Sequence, residues 1–218
     1  MKPVICMITD RLRRGEGGTS VDALVDRVAV AARAGVHLVQ VRERDLDART
    51  LTRLVAACVE SVRHTRTRII VNDRADVARA ADAHGVHLRG DSMPASRLRA
   101  LAGGRLLIGR SVHSVAEAQR AAADGAVDYL VFGPVFATSS KPGVVPAGPV
   151  MLEAVVRSAP VPVLAVGGVT AQTAGPLARA GVAGVAAIGL FDAPEDERGM
   201  REAVAALQSA FDSAGAGS

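Results

Sequence analysis

The sequence predicts a single α/β domain, a (β/α)8 barrel of the TIM type, and three observations carry that prediction. Eight short apolar runs are separated by Ala-rich segments whose apolar residues fall at helical spacing, the pattern of repeated βαβ units and a parallel sheet. In "RAGVHLV", "DGAVDYLV" and "RAGVAGVAA" a Gly stands between a helical segment and the next apolar run, where a left-handed helix cap is needed. Apolar residues make up 49% of the chain but aromatics only 2%. The core must therefore consist of Ala, Val, Leu and Ile, which suits a sheet buried on both faces.

The elements follow in order. Val4–Thr9 is the first strand, and "RLRRGEGG" leads from it to a helix over Val21–Ala34 with Ser20 as N-cap. His37–Glu43 precedes a helix over Leu51–Arg63, and Arg68–Asn72 precedes a short one over Ala75–Ala81. Gly85–Leu88 is followed by another short helix, Pro94–Leu101. Leu106–Ser111 leads to Ser114–Asp124, where Ser114 caps and Glu117 completes a capping box. Tyr129–Gly133 runs into a long polar loop before Val150–Ser158. Pro162–Val166, the helix Thr170–Ala180 with Thr170 as N-cap, and Gly184–Ile188 complete the set. No composition shift marks a domain boundary, so residues 1–212 form one barrel, and 213–218, only Gly, Ala and Ser, form a fraying tail. At 218 residues the chain lies at the short end for a complete barrel.

The formal charge is +4 and the sequence pI about 9.8. Nucleic acid is not the expected partner, because the arginines are scattered among acids and stacking aromatics are nearly absent. A basic chain also attracts anionic metabolites, and that reading fits better. Cys6 and Cys58 lie within apolar segments and read as buried free thiols of a reducing compartment. The N-terminal apolar run is too short for a signal peptide, and no run is long enough to span a membrane. A soluble cytoplasmic protein is expected; barrels of this size often pair, so a homodimer is an open alternative that the sequence does not decide.

In such a barrel the chemistry sits at the C-terminal ends of the strands. Gln40, Arg42 and Arg44 share parity in "HLVQVRERD", so a strand turns all three toward the lumen or its mouth. Inward guanidiniums need an anion or an acid; Glu43 and Asp73 are the internal candidates, a ligand the other. Asn72 and Asp73 end the third strand, as ligand contacts or as a turn and N-cap. Ser111 and His113 share parity at the end of the fifth strand, and a histidine there can both take and give a proton. The sixth strand runs into "VFGPVFATSSKPG", whose Thr138, Ser139, Ser140 and Lys141 form either a ligand-facing or a solvated loop. Gly167 and Gly168, with Ile188 and Gly189, stand where barrels of this type bind phosphate through backbone N–H groups. His84 precedes the fourth strand at the opposite barrel face, which argues against a zinc site with His87. The segment Arg11–Gly18 is either a lid or a solvated loop.

The ordered set "ITD", "VQVRER", "VNDR", "GVHL", "SVHS", "FGPVF" then "KPG", and "VLAVGGVT" resembles a pair of families over nearly the whole chain: thiamine phosphate synthase and the thiazole tautomerase (TenI) family. The synthase resemblance implies joining of an aminopyrimidine diphosphate to a thiazole phosphate with loss of pyrophosphate, using Mg2+. Its pattern has Gln-x-Arg-x-Lys on the second strand, Asn-Asp after the third, and a second acid in "GVHLGQxD" after the fourth. Asp73 matches the first acid. Ser92 stands at the second, with Asp91 one position away, Gly90 at the glutamine and Arg44 at the lysine.

These departures favour the tautomerase branch, whose resemblance implies a metal-independent proton shift aromatising a thiazole carboxylate phosphate. On that expectation His113 is the catalytic acid–base group and Ser111 orients the substrate. Gln40, Arg42, Arg44, Asn72, Asp73, Thr138 and Lys141 bind the substrate, while Gly167, Gly168, Ile188 and Gly189 hold its phosphate. No cofactor is needed. The alternative is the synthase, with Mg2+ on Asp73 and Asp91. A third reading is a barrel that binds thiazole or thiamine phosphates without turnover.

Overall fold

The computed structural model describes residues 2–14, 18–102, 106–140, 142–194 and 196–215. Eight parallel strands close into a ring in sequence order: β1 (Val4–Ile8), β2 (Leu38–Val41), β3 (Arg68–Asn72), β4 (Gly85–Leu88), β5 (Leu107–Val112), β6 (Tyr129–Phe132), β7 (Val163–Val166) and β8 (Gly184–Ala187). Closure is made where Cys6 of β1 lies opposite Leu38 of β2 on one side and Ala186 of β8 on the other. The predicted (β/α)8 barrel is thus the observed fold.

Strand alternation sorts the core into two layers. Cys6, Ile8, Leu38, Ile70, Val131 and Leu164 fill the lumen with Tyr129 and Ala186. Their neighbours Ile5, Met7, Val39, Val41, Ile69 and Val71 face outward into the helix layer. The lumen is therefore a packed floor rather than a pore, and only its upper end is left for a ligand. Both cysteines are free and buried, and burial pushes each thiol up to about 12, which keeps them inert.

The outer layer consists of α1 (Val21–Arg33), α2 (Ala48–Ser61), α3 (Ala75–Ala80), α4 (Ala95–Ala102), α5 (Val115–Ala123), α6 (Gly148–Ser158), α7 (Ala171–Arg179), α8 (Gly189–Asp192) and α9 (Glu197–Gly215). Gly35, Gly125 and Gly181 sit at φ of +96, +70 and +81, so the three repeated glycines are left-handed caps. Ser20, Ser114 and Thr170 accept hydrogen bonds from the N–H groups of Ala23, Glu117 and Thr173. The capping box expected at Ser114 is altered, because the Glu117 carboxylate accepts from the His113 N–H at 2.7 Å. A reciprocal box forms instead between Thr170 and Thr173.

The C-terminal tail is shorter than expected. Met200, Val204, Leu207 and Phe211 of α9 are buried against the barrel, and the helix runs on to Gly215. Ser213–Gly215 are therefore helical, and residues 216–218 lie outside the described residues. Packing of the apolar stripe overrides the weak propensity of a Gly/Ser segment. Among the described residues no helix is long and apolar enough to cross a membrane.

Candidate active site

A cavity of about 1160 Å3 opens at the C-terminal ends of the strands. The residues expected on the second strand meet there. Gln40 is buried in the lumen and donates from Nε2 to Asn72 Oδ1 at 2.9 Å, tying β2 to β3. Arg42 and Arg44 follow it past the strand's end and line the same wall. Burial, then the charge of Arg44, lowers the proton affinity of Arg42. Among the described residues its one salt-bridge partner is Asp10 at 3.7 Å, the Glu43 charge acts on it from farther off, and Asp73 does not take the partner role considered for it. Glu43 instead accepts from the Thr9 hydroxyl at 2.5 Å and the Arg11 N–H at 3.0 Å. Two guanidiniums sharing so little negative charge make an anion-seeking wall.

The next wall carries hydroxyl and imidazole groups. Ser111 Oγ lies 2.8 Å from His87 Nε2, and the His87 ring packs on Tyr129 in the lumen floor. Burial, helped by the charge of Arg110, lowers the His87 pKa to about 4, so this imidazole is neutral. His113 is placed by Nδ1 donating to the Gly133 carbonyl at 2.6 Å. In the neutral ring that contact leaves Nε2 as an acceptor.

Thr138, Gly167, Gly168, Ile188 and Gly189 line the opposite part of the cavity, with Ser139 and Ser140. Gly167 and Gly168 have φ of +98 and +63, and a Cβ on either would fall 2.6 Å from Pro134 or Phe136. Close approach of β7 to the β6 loop therefore requires both glycines. Lys141 lies outside the described residues.

Among the charged and imidazole groups of the lining, Arg13, Arg89 and Arg120 were not named as site residues, nor was His87 as part of the floor. Parity would have found Arg89, which follows the lumen-facing His87 by two positions as Arg42 follows Gln40. Arg13 is marked only as part of the Arg11–Gly18 segment, because its partners Ser139, Ser140 and Asp192 lie far along the chain. His84, before β4, has its Nδ1 taken by the Ile69 N–H at 3.0 Å.

The Asp73 carboxylate sits beside the cavity rather than in its lining, on a residue at φ 60. Ser92 Oγ donates to Asp73 Oδ1, and Arg89 Nη1 lies 3.7 Å from Asp73 Oδ2. The same guanidinium donates to both oxygens of Asp91, from Nε at 2.9 Å and from Nη2. Mg2+ demands near-ideal oxygen geometry, and here the Arg89 guanidinium already lies between the two carboxylates. Among the described residues no group of three His, Cys, Asp or Glu side chains is disposed to hold a metal. The two-carboxylate seat considered for the synthase, Asp73 with Asp91, does not fit a resident ion in this geometry.

A closed (β/α)8 barrel with an arginine-lined cavity over its strand ends defines a TIM-barrel enzyme. The family profile described as thiamine monophosphate synthase (TMP-TENI) matches residues 5–191. The chain belongs to that family. It is 39% identical over 211 residues to a thiamine-phosphate synthase of Roseiflexus sp. (strain RS-1), covering 96% of this chain and 87% of that one. It is 40% identical over 187 residues to the Chlorobium luteolum protein of the same name, covering 85% and 84%. Among solved structures, thiamine phosphate pyrophosphorylase from Pyrococcus furiosus superimposes with a TM-score of 0.81 at 31% identity, over 96% of both chains. A 3-hexulose-6-phosphate synthase shares the fold alone, at 20% identity and a TM-score of 0.72.

These relatives overturn the tautomerase expectation. They carry the synthase name at about 40% identity across most of the chain, and none of them points to the TenI branch. Isolated departures at Ser92, Gly90 and Arg44 weighed too heavily against agreement along the whole barrel.

Proposed function

We propose that this chain is a thiamine phosphate synthase, a transferase acting on an aminopyrimidine diphosphate and a thiazole phosphate. In the reaction a C–N bond forms to the thiazole nitrogen, the C–O bond to the diphosphate breaks, and pyrophosphate leaves with the bonding electrons. The observation that carries this reading is that one cavity has two separate walls suited to anions. Arg42, Arg44, Arg89 and Asn72 lie on the β2–β4 side, and Gly167, Gly168, Gly189 and Arg13 on the β7–β8 side. In a ring of eight strands these sides face each other. A reaction between a diphosphate and a monophosphate needs two such walls.

Each wall then has a task. The guanidiniums of Arg42 and Arg44 hold the diphosphate and gain strength as negative charge builds on the departing oxygen. The glycine-lined wall holds the thiazole phosphate at the distance and angle that let its nitrogen meet the carbon. His113, with Nδ1 committed to Gly133, presents an acceptor suited to an amino group of the pyrimidine. Ser111, held by the neutral His87, adds a hydroxyl beside the leaving oxygens.

The test supplies both substrates and follows thiamine phosphate and pyrophosphate together. Equal formation of the two is expected, and Arg42→Ala should depress kcat/KM by about a hundredfold, the worth of a charged contact strengthened in the transition state. Binding of both substrates with no product would sink the proposal.

A further inference from the structure

Arg89 occupies the place where a cation would be needed to bring a diphosphate to the β3–β4 end of the cavity. Its side chain lines the cavity and lies between Asp73 and Asp91. The loop that carries it is held rigidly. The Arg89 N–H donates to Ser92 Oγ at 2.9 Å. Arg110 donates to the carbonyls of Gly90, Ser92 and Met93 at 3.0, 2.9 and 2.9 Å. These bonds fix the backbone from which the Arg89 side chain starts.

Its hold on Asp73 and Asp91 is weak. The Asp91 side chain is 70% exposed and that of Arg89 47%, so water screens their pairing. A diphosphate offers pairs of oxygens that the planar guanidinium can bind bidentately, at higher charge than one carboxylate. It can displace Asp91 into solvent while Asp73 and Ser92 stay paired. A divalent ion on the same carboxylates would instead have to break the Ser92–Asp73 hydrogen bond and sit against the Arg89 guanidinium.

We propose that Arg89 is a diphosphate-binding residue whose guanidinium replaces a divalent cation, so that this chain captures pyrophosphate without Mg2+. The proposal rests on the synthase reading for its substrate.

Calorimetric titration with inorganic pyrophosphate, in EDTA and in Mg2+, tests it on four proteins: wild type, Arg89→Ala, Arg89→Lys and the double variant Arg89→Ala/Ser92→Asp. Thermal denaturation confirms that each is folded. Wild type is expected to bind in EDTA, with Mg2+ tightening binding by no more than about threefold. Arg89→Ala should lose about tenfold or more in EDTA, the worth of one charged hydrogen-bonded contact, and Arg89→Lys should recover part of it. The double variant should bind tightly only with Mg2+. Wild-type binding that requires Mg2+, unchanged binding by Arg89→Ala, or no binding in either buffer would each overturn the proposal. The two-substrate assay on wild type keeps the failures apart. Product formed only with Mg2+, alongside Mg2+-only pyrophosphate binding, removes this inference and leaves the synthase; absence of product removes the synthase and leaves the titration to be read alone.

Discussion

Arg13 Nε lies 2.9 Å from a carboxylate oxygen of Asp192, an ion pair that joins the turn after β1 to the helix after β8. The same guanidinium donates to Ser140 Oγ at 3.0 Å and to Ser139 Oγ at 2.9 Å. A Cβ on Gly189 would fall 2.8 Å from its Nη2. Arg13 therefore stands over the glycine-lined wall as its one positive side chain among the described lining residues.

From this placement Arg13→Ala should raise KM for the thiazole phosphate by about tenfold, the worth of one charged contact to phosphate. KM for the diphosphate should change little, because its wall lies across the barrel. Steady-state kinetics with each substrate varied in turn decide the matter. An equal rise in both constants would mean that Arg13 serves the structure of the mouth and not the monophosphate.

His87 predicts an acid limb of stability. Its pKa falls from 6.5 to about 4 on folding, chiefly through burial. The folded state favours the neutral ring, so this contribution is complete above about 6.5 and is lost as pH falls through about 4. At about 1.4 kcal/mol per unit, it amounts to about 3 kcal/mol. His87→Gln keeps a partner for Ser111 without titrating. Its denaturation free energy should therefore fall less between pH 6.5 and 4 than that of wild type, while His37 and His84, lowered by burial too, contribute equally to both. Parallel curves for the two proteins would refute the assignment.

The barrel was legible because it is written in local periods. Two-residue alternation placed Gln40 inward and Val39 and Val41 outward, and three glycines marked left-handed caps before three strands. Most of the cavity followed from parity at strand ends. Arg13 was not legible, since its meaning depends on Ser139, Ser140 and Asp192, which no short-range pattern brings to it. The end of α9 was misread because Ser213–Gly215 have loop composition but ride on a stripe of buried apolar residues. The choice of branch failed for a related reason: a substitution such as Ser92 for an acid gains meaning only when Arg89 is seen beside Asp73.

Gly167 and Gly175 give different predictions for one substitution. At Gly167 the backbone is at φ +98, and a Cβ would lie 2.6 Å from the Pro134 Cα. Gly167→Ala should cost roughly 2 kcal/mol in strain, a fall of about 4–8 °C in Tm for a chain of this size. Gly175 lies inside α7, where the nearest atom to an added Cβ is an Arg179 nitrogen at 3.6 Å. Gly175 directly precedes Pro176, whose ring crowds the Cβ of a helical residue before it and offsets the gain in helix propensity, so Gly175→Ala should change stability by no more than about 0.5 kcal/mol. Melting curves for the pair settle both; equal shifts of the same sign would contradict the backbone argument.

Thr9 and Glu43 support the turn that carries Arg13, and their coupling has a pH signature. The Thr9 hydroxyl, only 1% exposed, donates to Glu43 Oε1 and accepts from the Arg42 N–H at 3.0 Å. Glu43 Oε2 accepts from the Arg11 N–H, at the start of the turn. Burial raises the Glu43 pKa, and the Thr9 hydrogen bond opposes that rise. Thr9→Val keeps the shape but removes the donor, leaving a buried carboxylate with one partner fewer, at a cost of about 1–3 kcal/mol. A carboxyl with a raised folded pKa contributes fully below its unfolded value, near 4.5, and loses that contribution as pH rises through the folded one. Raising it further in Thr9→Val makes the variant's deficit larger at pH 7 than at pH 4. Denaturant titrations at the two pH values read that difference directly. A deficit independent of pH would mean that the hydroxyl matters to Arg42 alone, and then KM for the thiazole phosphate should be unaffected; a pH-dependent deficit should come with a raised KM, because the turn holding Arg13 loosens with its Glu43 anchor.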